Sequence, residues 1–513
     1  MSKAKRRLRG AAFTIVAVTG LTAAFSQPLS AAKLSPTAAV SGAAAAAACD
    51  KAPTGVQVSD HFLPFTVPAG LMPDPQFDGL KAELQVHRVQ PVYANGKCAS
   101  VANRAAVLIH GGNYGGPAVF DLRQLAPEGG ELSVQKALAR AGIDTFAPNL
   151  LGYGRSTHFA HGLDDPGNAS LPAYVDGKCS SPVGCDRTHT PLFPLDLQGP
   201  PTVPGGPTLF TNPLGGQRRA HSSNFRFARV DTFVRDIRQV IDDAIARAQP
   251  SDGKVTLLGV SIGNQPVART LYAANPNPIL PNSKAYIAKV NRVVFLSSVF
   301  FATGPTEEVT PASGWASFPL HVFNTDAATV QGVWQMTTPE REAACTGHVI
   351  PGSPEQLGAQ VREDETLGLQ WGGNDPAHPT GLGRNPTFSR YGWNREVAGT
   401  LTTPALIIHG AEDLAAPVAN ASDIYDHLTM IANKVQVQVK CASHGLLWEG
   451  CSGKRCTPAS GTPYGGKLGQ PWTGPHSTLK AALIEWITRG TFNGAPSGQF
   501  TVNESGVASA TGP

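Results

Sequence analysis

"KVTLLGVSIGNQPVART", residues 254–270, sets a serine between two glycines directly after an apolar run. Lys254 to Leu258 is short, β-branched and apolar, the composition of a strand covered on both faces. From Gln265 the apolar spacing turns helical, with Val267, Ala268 and Leu271 able to share one face. Gly259-Val260-Ser261-Ile262-Gly263 therefore reads as a strand-to-helix corner. A corner that sharp brings the chain close to collision with itself, so it needs residues without a Cβ on either side of the serine. The Ser261 hydroxyl is left exposed at the carboxyl end of the strand, beside backbone N–H groups at a helix start. With 55 glycines in 513 residues, G-x-S-x-G arises readily by chance. The strand before it and the helix after it select the nucleophile reading.

The same alternation runs outward from this corner. "VQVSDHFLPFTVP" and "AELQVHRVQPVYA" alternate as strands, and "RAAVLIHGGNYGG" and "GIDTFAPNLLGYGRST" are buried strands running into glycine-rich loops. "VDTFVRDIRQVIDDAIARA" is an amphipathic helix with Val230, Phe233, Val234, Ile237, Val240, Ile241 and Ala244 on one stripe. Further on come strands in "NRVVFLSS", "TPALIIHGAED" and "KVQVQVK", and helices in "ASDIYDHLTMIA" and "HSTLKAALIEWITRG". Alternating strands and helices predict a mostly parallel sheet covered on both faces. In such sheets reactive groups gather at the carboxyl ends of the strands.

A serine nucleophile then needs partners after later strands. Asp413 follows "PALIIHG" and His444 follows "KVQVQVKCAS". Imidazole is the base suited to a hydroxyl near neutral pH, and a carboxylate on its far nitrogen fixes the tautomer. His476 is the rival base, but its place before the last helix reads as a helix start. Oxyanion charge needs N–H donors, and "HGGN", His110 to Asn113, follows the first buried parallel strand. Gly112 and Ile262 are the expected N–H pair, with Asn113 able to replace or assist Gly112; His110 is read as structural.

From about residue 80 to 490 the chain resembles the α/β-hydrolase fold family. The resemblance rests on "IHGG", "LGYGRS", "GVSIG", "HGAED" and "SHG", and on the order Ser…Asp…His. It implies catalytic roles for Ser261, Asp413 and His444. Asn149 stands where many relatives carry an acid in D-x-x-G-x-G-x-S. A serine nucleophile argues against dehalogenase and epoxide-hydrolase relatives, and the flanking cysteines of tannase-like esterases are absent beside Ser261. Residues 156–228 read as a loop insertion in a core spanning 56–298. Residues 299–400 occupy the place where relatives commonly carry a cap. The second core part is 401–490, followed by a flexible polar tail, 491–513.

Residues 1–32 have a basic start and an Ala/Gly-rich apolar stretch. They read as an export leader, followed by an Ala-rich spacer to residue 55. A lipid anchor on Cys49 is the weaker reading, because the cysteine lies far from that stretch. The leader holds five basic and no acidic side chains, so its removal takes the net charge from +4 to −1. No basic patch then remains for nucleic acid, and no stable membrane insertion is expected. The eight cysteines favour disulfides over a metal site, with Cys179–Cys185 and Cys451–Cys456 close enough to form small loops.

These features point to an exported serine hydrolase that cleaves a small or medium, uncharged carboxylic ester without metal or organic cofactor. A peptidase, a lactonase, a β-diketone C–C hydrolase and a catalytically idle binding protein are the alternatives. The cap segment holds Trp315, Phe318, Phe323, Trp334, Met336, Trp371 and Trp393. Trp315 and Trp334 are expected to line an apolar substrate pocket.

Overall fold

Apolar runs too short for helices, and apolar on both faces, pair into a ten-stranded sheet. The computed structural model describes residues 52–511 apart from 73–74, 95–103, 124–130, 159–173, 176–177, 180–227, 309–320, 366–381, 386–390, 459 and 470. The strands are β1 (Gly55–Thr66), β2 (Lys81–Val92), β3 (Arg104–Ile109), β4 (Ile143–Pro148) and β5 (Val255–Val260). After them come β6 (Val290–Leu296), β7 (Ala405–Gly410), β8 (Lys434–Val439), β9 (Gly498–Val502) and β10 (Ala508–Ala510). Their order is β1-β2-β4-β3-β5-β6-β7-β8-β9-β10. The stretch from β4 to β9 is parallel throughout, while β1, β2 and β10 add on antiparallel at the two edges.

Side chains of a strand alternate between faces, and here each face has its own core. Val107, Ile109, Leu257, Phe295 and Ile407 pack with Phe233, Ile237 and Val240 of α3 (Val230–Ala248; the shorter α1, Gly116–Phe120, and α2, Val134–Arg140, precede it). Ala106, Leu108, Leu258, Val294 and Ile408 pack on the other face with Leu479, Leu483 and Trp486 of the closing helix, Pro475–Arg489. This two-sided burial is why β3 and β7 read as largely continuous apolar runs rather than alternating ones.

The expectation of a flexible tail over 491–513 is overturned. β9 lies parallel to β8, with Phe500 opposite Val437, and β10 closes the edge. Phe492, Phe500 and Val502 are buried, and the Phe492 ring stacks on Tyr464 at 4.3 Å. Only alternate positions of so short a strand are apolar, and the partner that covers it is supplied by tertiary folding.

Cys451–Cys456 forms, and so does Cys345–Cys441, which ties together residues 96 apart. The expected Cys179–Cys185 pair, the leader, the spacer with Cys49, and most of 156–228 lie outside the described residues. Phe500→Ala should cost about 3–5 kcal/mol in denaturant unfolding; a free tail would give no change.

Candidate active site

Ser261 directly follows β5 with φ 55°, the left-handed region that a side chain rarely adopts. The corner continues through a single 3-10 turn (Ser261–Gly263) into α4 (Asn264–Thr270). A Cβ on Gly263 would sit 2.1 Å from the His110 carbonyl oxygen, and one on Gly259 would sit 2.6 Å from Asn264 Oδ1. Both glycines of G-x-S-x-G are therefore steric requirements. Asn264 Nδ2 donates to the carbonyls of Ser261 and of Leu296 on β6, both at 3.0 Å, tying the corner to the adjacent strand. The strain at Ser261 is held by packing on three sides.

Ser261, Ile262, Gly112, Asn113 and His444 line one cavity of about 700 Å³. His444 Nδ1 is 2.8 Å from Asp413 Oδ2. The other oxygen, Oδ1, accepts the N–H groups of Ala415 and Ala416 at 2.9 and 2.8 Å, which leaves Oδ2 aimed at the imidazole. Burial opposes ionisation of Asp413, but the His444 and His409 rings hold its carboxyl well below the usual carboxylate range. The neighbouring Glu412 turns away, to Arg341 at 3.1 Å. His476 is buried at the start of the closing helix, between Thr473 Oγ1 and Lys480 Nζ, each at 2.9 Å.

The loop after β3 is pinned from behind. Leu150 N–H donates to His110 Nε2 at 3.1 Å, so Nδ1 carries the proton and donates to Gly111 O at 2.7 Å. Burial pushes His110 down to about 4, so the ring is neutral and acts through geometry. A trans peptide sets its N–H opposite its C=O; fixing Gly111 O thus fixes the direction of the Gly112 N–H. Tyr153 hydroxyl donates to Gly112 O at 3.2 Å and fixes the next peptide in the same way.

A family model described as the alpha/beta hydrolase fold matches residues 105–450. The chain belongs to that family. Among solved structures this hydrolase is similar to the thioesterase domain from the curacin biosynthetic pathway, at 13% identity and a TM-score of 0.35, covering 76% of this chain and 95% of that one. It is similar to 2-hydroxy-6-oxo-6-phenylhexa-2,4-dienoate hydrolase from Rhodococcus sp. strain RHA1 at 13% identity and a TM-score of 0.32, over 76% and 95%. Likeness to Paleococcus ferrophilus monoacylglycerol lipase covers 84% of this chain and all of that one, at 12% identity and a TM-score of 0.33. A comparison with curated proteins gave no match.

The roof of this cavity departs from the sequence reading. Trp334 is 1% exposed and does not line the cavity. It packs in the core, 5.4 Å from the Trp448 ring, and against Gly445 beside His444. Trp393 likewise stacks on Phe295 of β6 at 4.6 Å. Large rings next to the sheet gain more by joining its core than by lining a partly open pocket. Trp315 lies outside the described residues. The cavity wall is formed instead by Tyr114, Val119, Val299, Phe301, Leu447 and Trp448, none of which the sequence reading singled out for the pocket.

One acid absent from the β4 loop is supplied from the insertion. Asn149 Nδ2 donates to Asp364 Oδ1 at 2.9 Å and to Gln85 Oε1 at 2.6 Å. Asp364 ends α5 (Ser353–Asp364), and burial pushes its carboxyl up to about 6. No local signal marks Asp364 in the sequence, because its partners lie more than two hundred residues away. Trp334→Ala should lower stability by about 3–5 kcal/mol and reduce turnover of all substrates alike; a change in substrate preference at unchanged melting temperature would return Trp334 to the pocket.

Proposed function

We propose that the protein is an exported serine hydrolase that cleaves uncharged carboxylic esters through an acyl-enzyme. In this reading Ser261 Oγ attacks the ester carbonyl while His444 takes its proton through Nε2. Asp413 holds the Nδ1–H tautomer and stabilises the imidazolium. The N–H groups of Gly112 and Ile262 receive the oxyanion. His444 returns the proton to the leaving alcohol, and water attacks the acyl-enzyme by the same route in reverse.

The observation that carries this reading is the convergence on one cavity of Ser261, in its strained corner, and of His444, bonded to Asp413 at 2.8 Å. An apolar wall with neutral polar groups supports an uncharged substrate, since among the described lining residues His444 is the sole ionisable side chain apart from the Tyr114 phenol. An ion entering such a wall would lose hydration without a counter-charge. A volume of about 700 Å³ suits a medium-sized acyl or aryl ester. Export is supported by the basic-apolar leader and by two disulfides, which persist in oxidising compartments.

A fluorophosphonate probe should label Ser261 in the folded native protein, and Ser261→Ala should abolish both labelling and ester turnover while leaving the melting temperature nearly unchanged. Residual turnover above a few per cent of native, on the order of what a background site would give, would reject the nucleophile. Asp413→Asn should lower kcat by roughly 10⁴-fold, through the wrong imidazole tautomer. Phe301→Ala, which widens the wall, should shift preference toward bulkier esters in a panel that also includes amides, lactones and β-diketones. Faster turnover of any of the latter three than of every ester would displace the ester reading.

A further inference from the structure

Glu449 is completely buried five residues after His444. Its Oε1 and Oε2 accept the Ser443 N–H at 3.0 and 2.8 Å, and Ser443 Oγ lies 2.5 Å from Oε1. The same hydroxyl is 3.2 Å from the Val333 carbonyl oxygen, in the roof, and 3.2 Å from the Gly445 nitrogen. A serine hydroxyl has one hydrogen to donate and two lone pairs. Val333 O can only accept, so it takes the hydrogen; Gly445 N–H can only donate, so it takes one lone pair. The remaining lone pair faces Glu449 Oε1, and that contact is a hydrogen bond only if the carboxyl supplies the proton. All the contacts are satisfied together when Glu449 is a carboxylic acid, with Oε2 as the carbonyl that accepts Ser443 N–H.

We propose that Glu449 is kept as a neutral carboxylic acid and acts as a positioning residue, holding the Ser443 N–H directly and, through the Ser443 hydroxyl, the Gly445 N–H that follows His444, against the Val333 carbonyl of the roof. The proposal rests on the reading of His444 as the base. Burial pushes the Glu449 carboxyl up to about 8; the Asp413 charge adds to this, while the Ser443 bonds and the Arg455 charge oppose it. The other titratable neighbours are reached through backbone: His476 N donates to Glu449 O, and Gly450 N donates to His348 O. His476 is itself held unprotonated by burial. A neutral Glu449 leaves stabilisation of the imidazolium to Asp413 and avoids a second negative charge that would repel the Asp413 carboxylate. Loss of its proton at alkaline pH would turn the Ser443 hydroxyl toward the carboxylate. Val333 would lose its donor, and the His444 loop would come free of the roof.

The test compares native protein, Glu449→Gln and Glu449→Ala for ester turnover between pH 6 and 10, normalised to the fluorophosphonate-reactive Ser261. Native kcat should fall above an apparent pKa near 8. Glu449→Gln, whose amide donates to Ser443 Oγ and accepts from Ser443 N–H, should keep kcat within about threefold at pH 7 and lose the alkaline fall, since an amide does not titrate. Glu449→Ala should lose tenfold or more in kcat with little change in KM, corresponding to at least about 1.4 kcal/mol. An alkaline fall retained in Glu449→Gln, or an unchanged Glu449→Ala, would overturn the proposal. Infrared difference spectra of native minus Glu449→Gln should show the C=O stretch of a protonated carboxyl at pH 7 that vanishes by pH 10; its absence at pH 7 also overturns it. This readout needs no turnover. A native protein whose Ser261 resists the probe would refute the hydrolase reading, whereas the infrared band would still decide the state of Glu449.

Discussion

The close approach of Gly263 to the His110 carbonyl, where a Cβ would stand 2.1 Å from oxygen, is the constraint on which the site is built. It presses the turn after β5 against the loop after β3 and forces Ser261 into the left-handed region. Neither loop could adopt this path alone. β3 and β5 are hydrogen-bonded neighbours in the parallel sheet, so their carboxyl ends emerge side by side. Hydrophobic burial on both faces of the sheet supplies the free energy that holds one residue in a conformation costing about 1–3 kcal/mol.

Around this corner, buried acids are sorted by their donors. Asp413 faces the His444 and His409 rings, whose charge and hydrogen bonds keep it ionised. Glu449, equally buried, faces a serine hydroxyl already committed elsewhere, and burial raises it to about 8. Asp364 meets an amide, Asn149, and lies between the two. Desolvation acts on all three in the same direction; the charges and donors that face each one separate them.

The 299–400 insertion, where described, is continuous with the core. Trp334 and Trp393 enter the two opposite faces of the hydrophobic core. Arg341 pairs with Glu412 beside Asp413, and Cys345 is bonded to Cys441 three residues before His444. Asp364 plugs the position beside Asn149. The roof is thus attached to the acid loop, the histidine loop and the β4 loop at once. The same segment that closes the cavity also sets the placement of the residues that line it.

The sequence by itself determined the sheet strands from Val56 to Val439, the helix Val230–Ala248 to the residue, and the positions of Ser261, Asp413 and His444 at strand ends. Those features are written in contiguous residues: apolar runs, a 3.6-residue stripe, glycines flanking a serine. It misjudged residues 491–513, because a five-residue strand with two apolar side chains has no period of its own until β8 lies beside it. It misplaced Trp334, because an aromatic side chain looks the same in sequence whether it lines a pocket or fills a core. It passed over Asp364 and Glu449, whose states are set by Asn149 and Gln85 in one case and by Ser443 and the roof carbonyl of Val333 in the other. Only the tertiary structure could decide these, since the polarity around a buried carboxyl depends on which distant donors folding brings within about 3 Å of it.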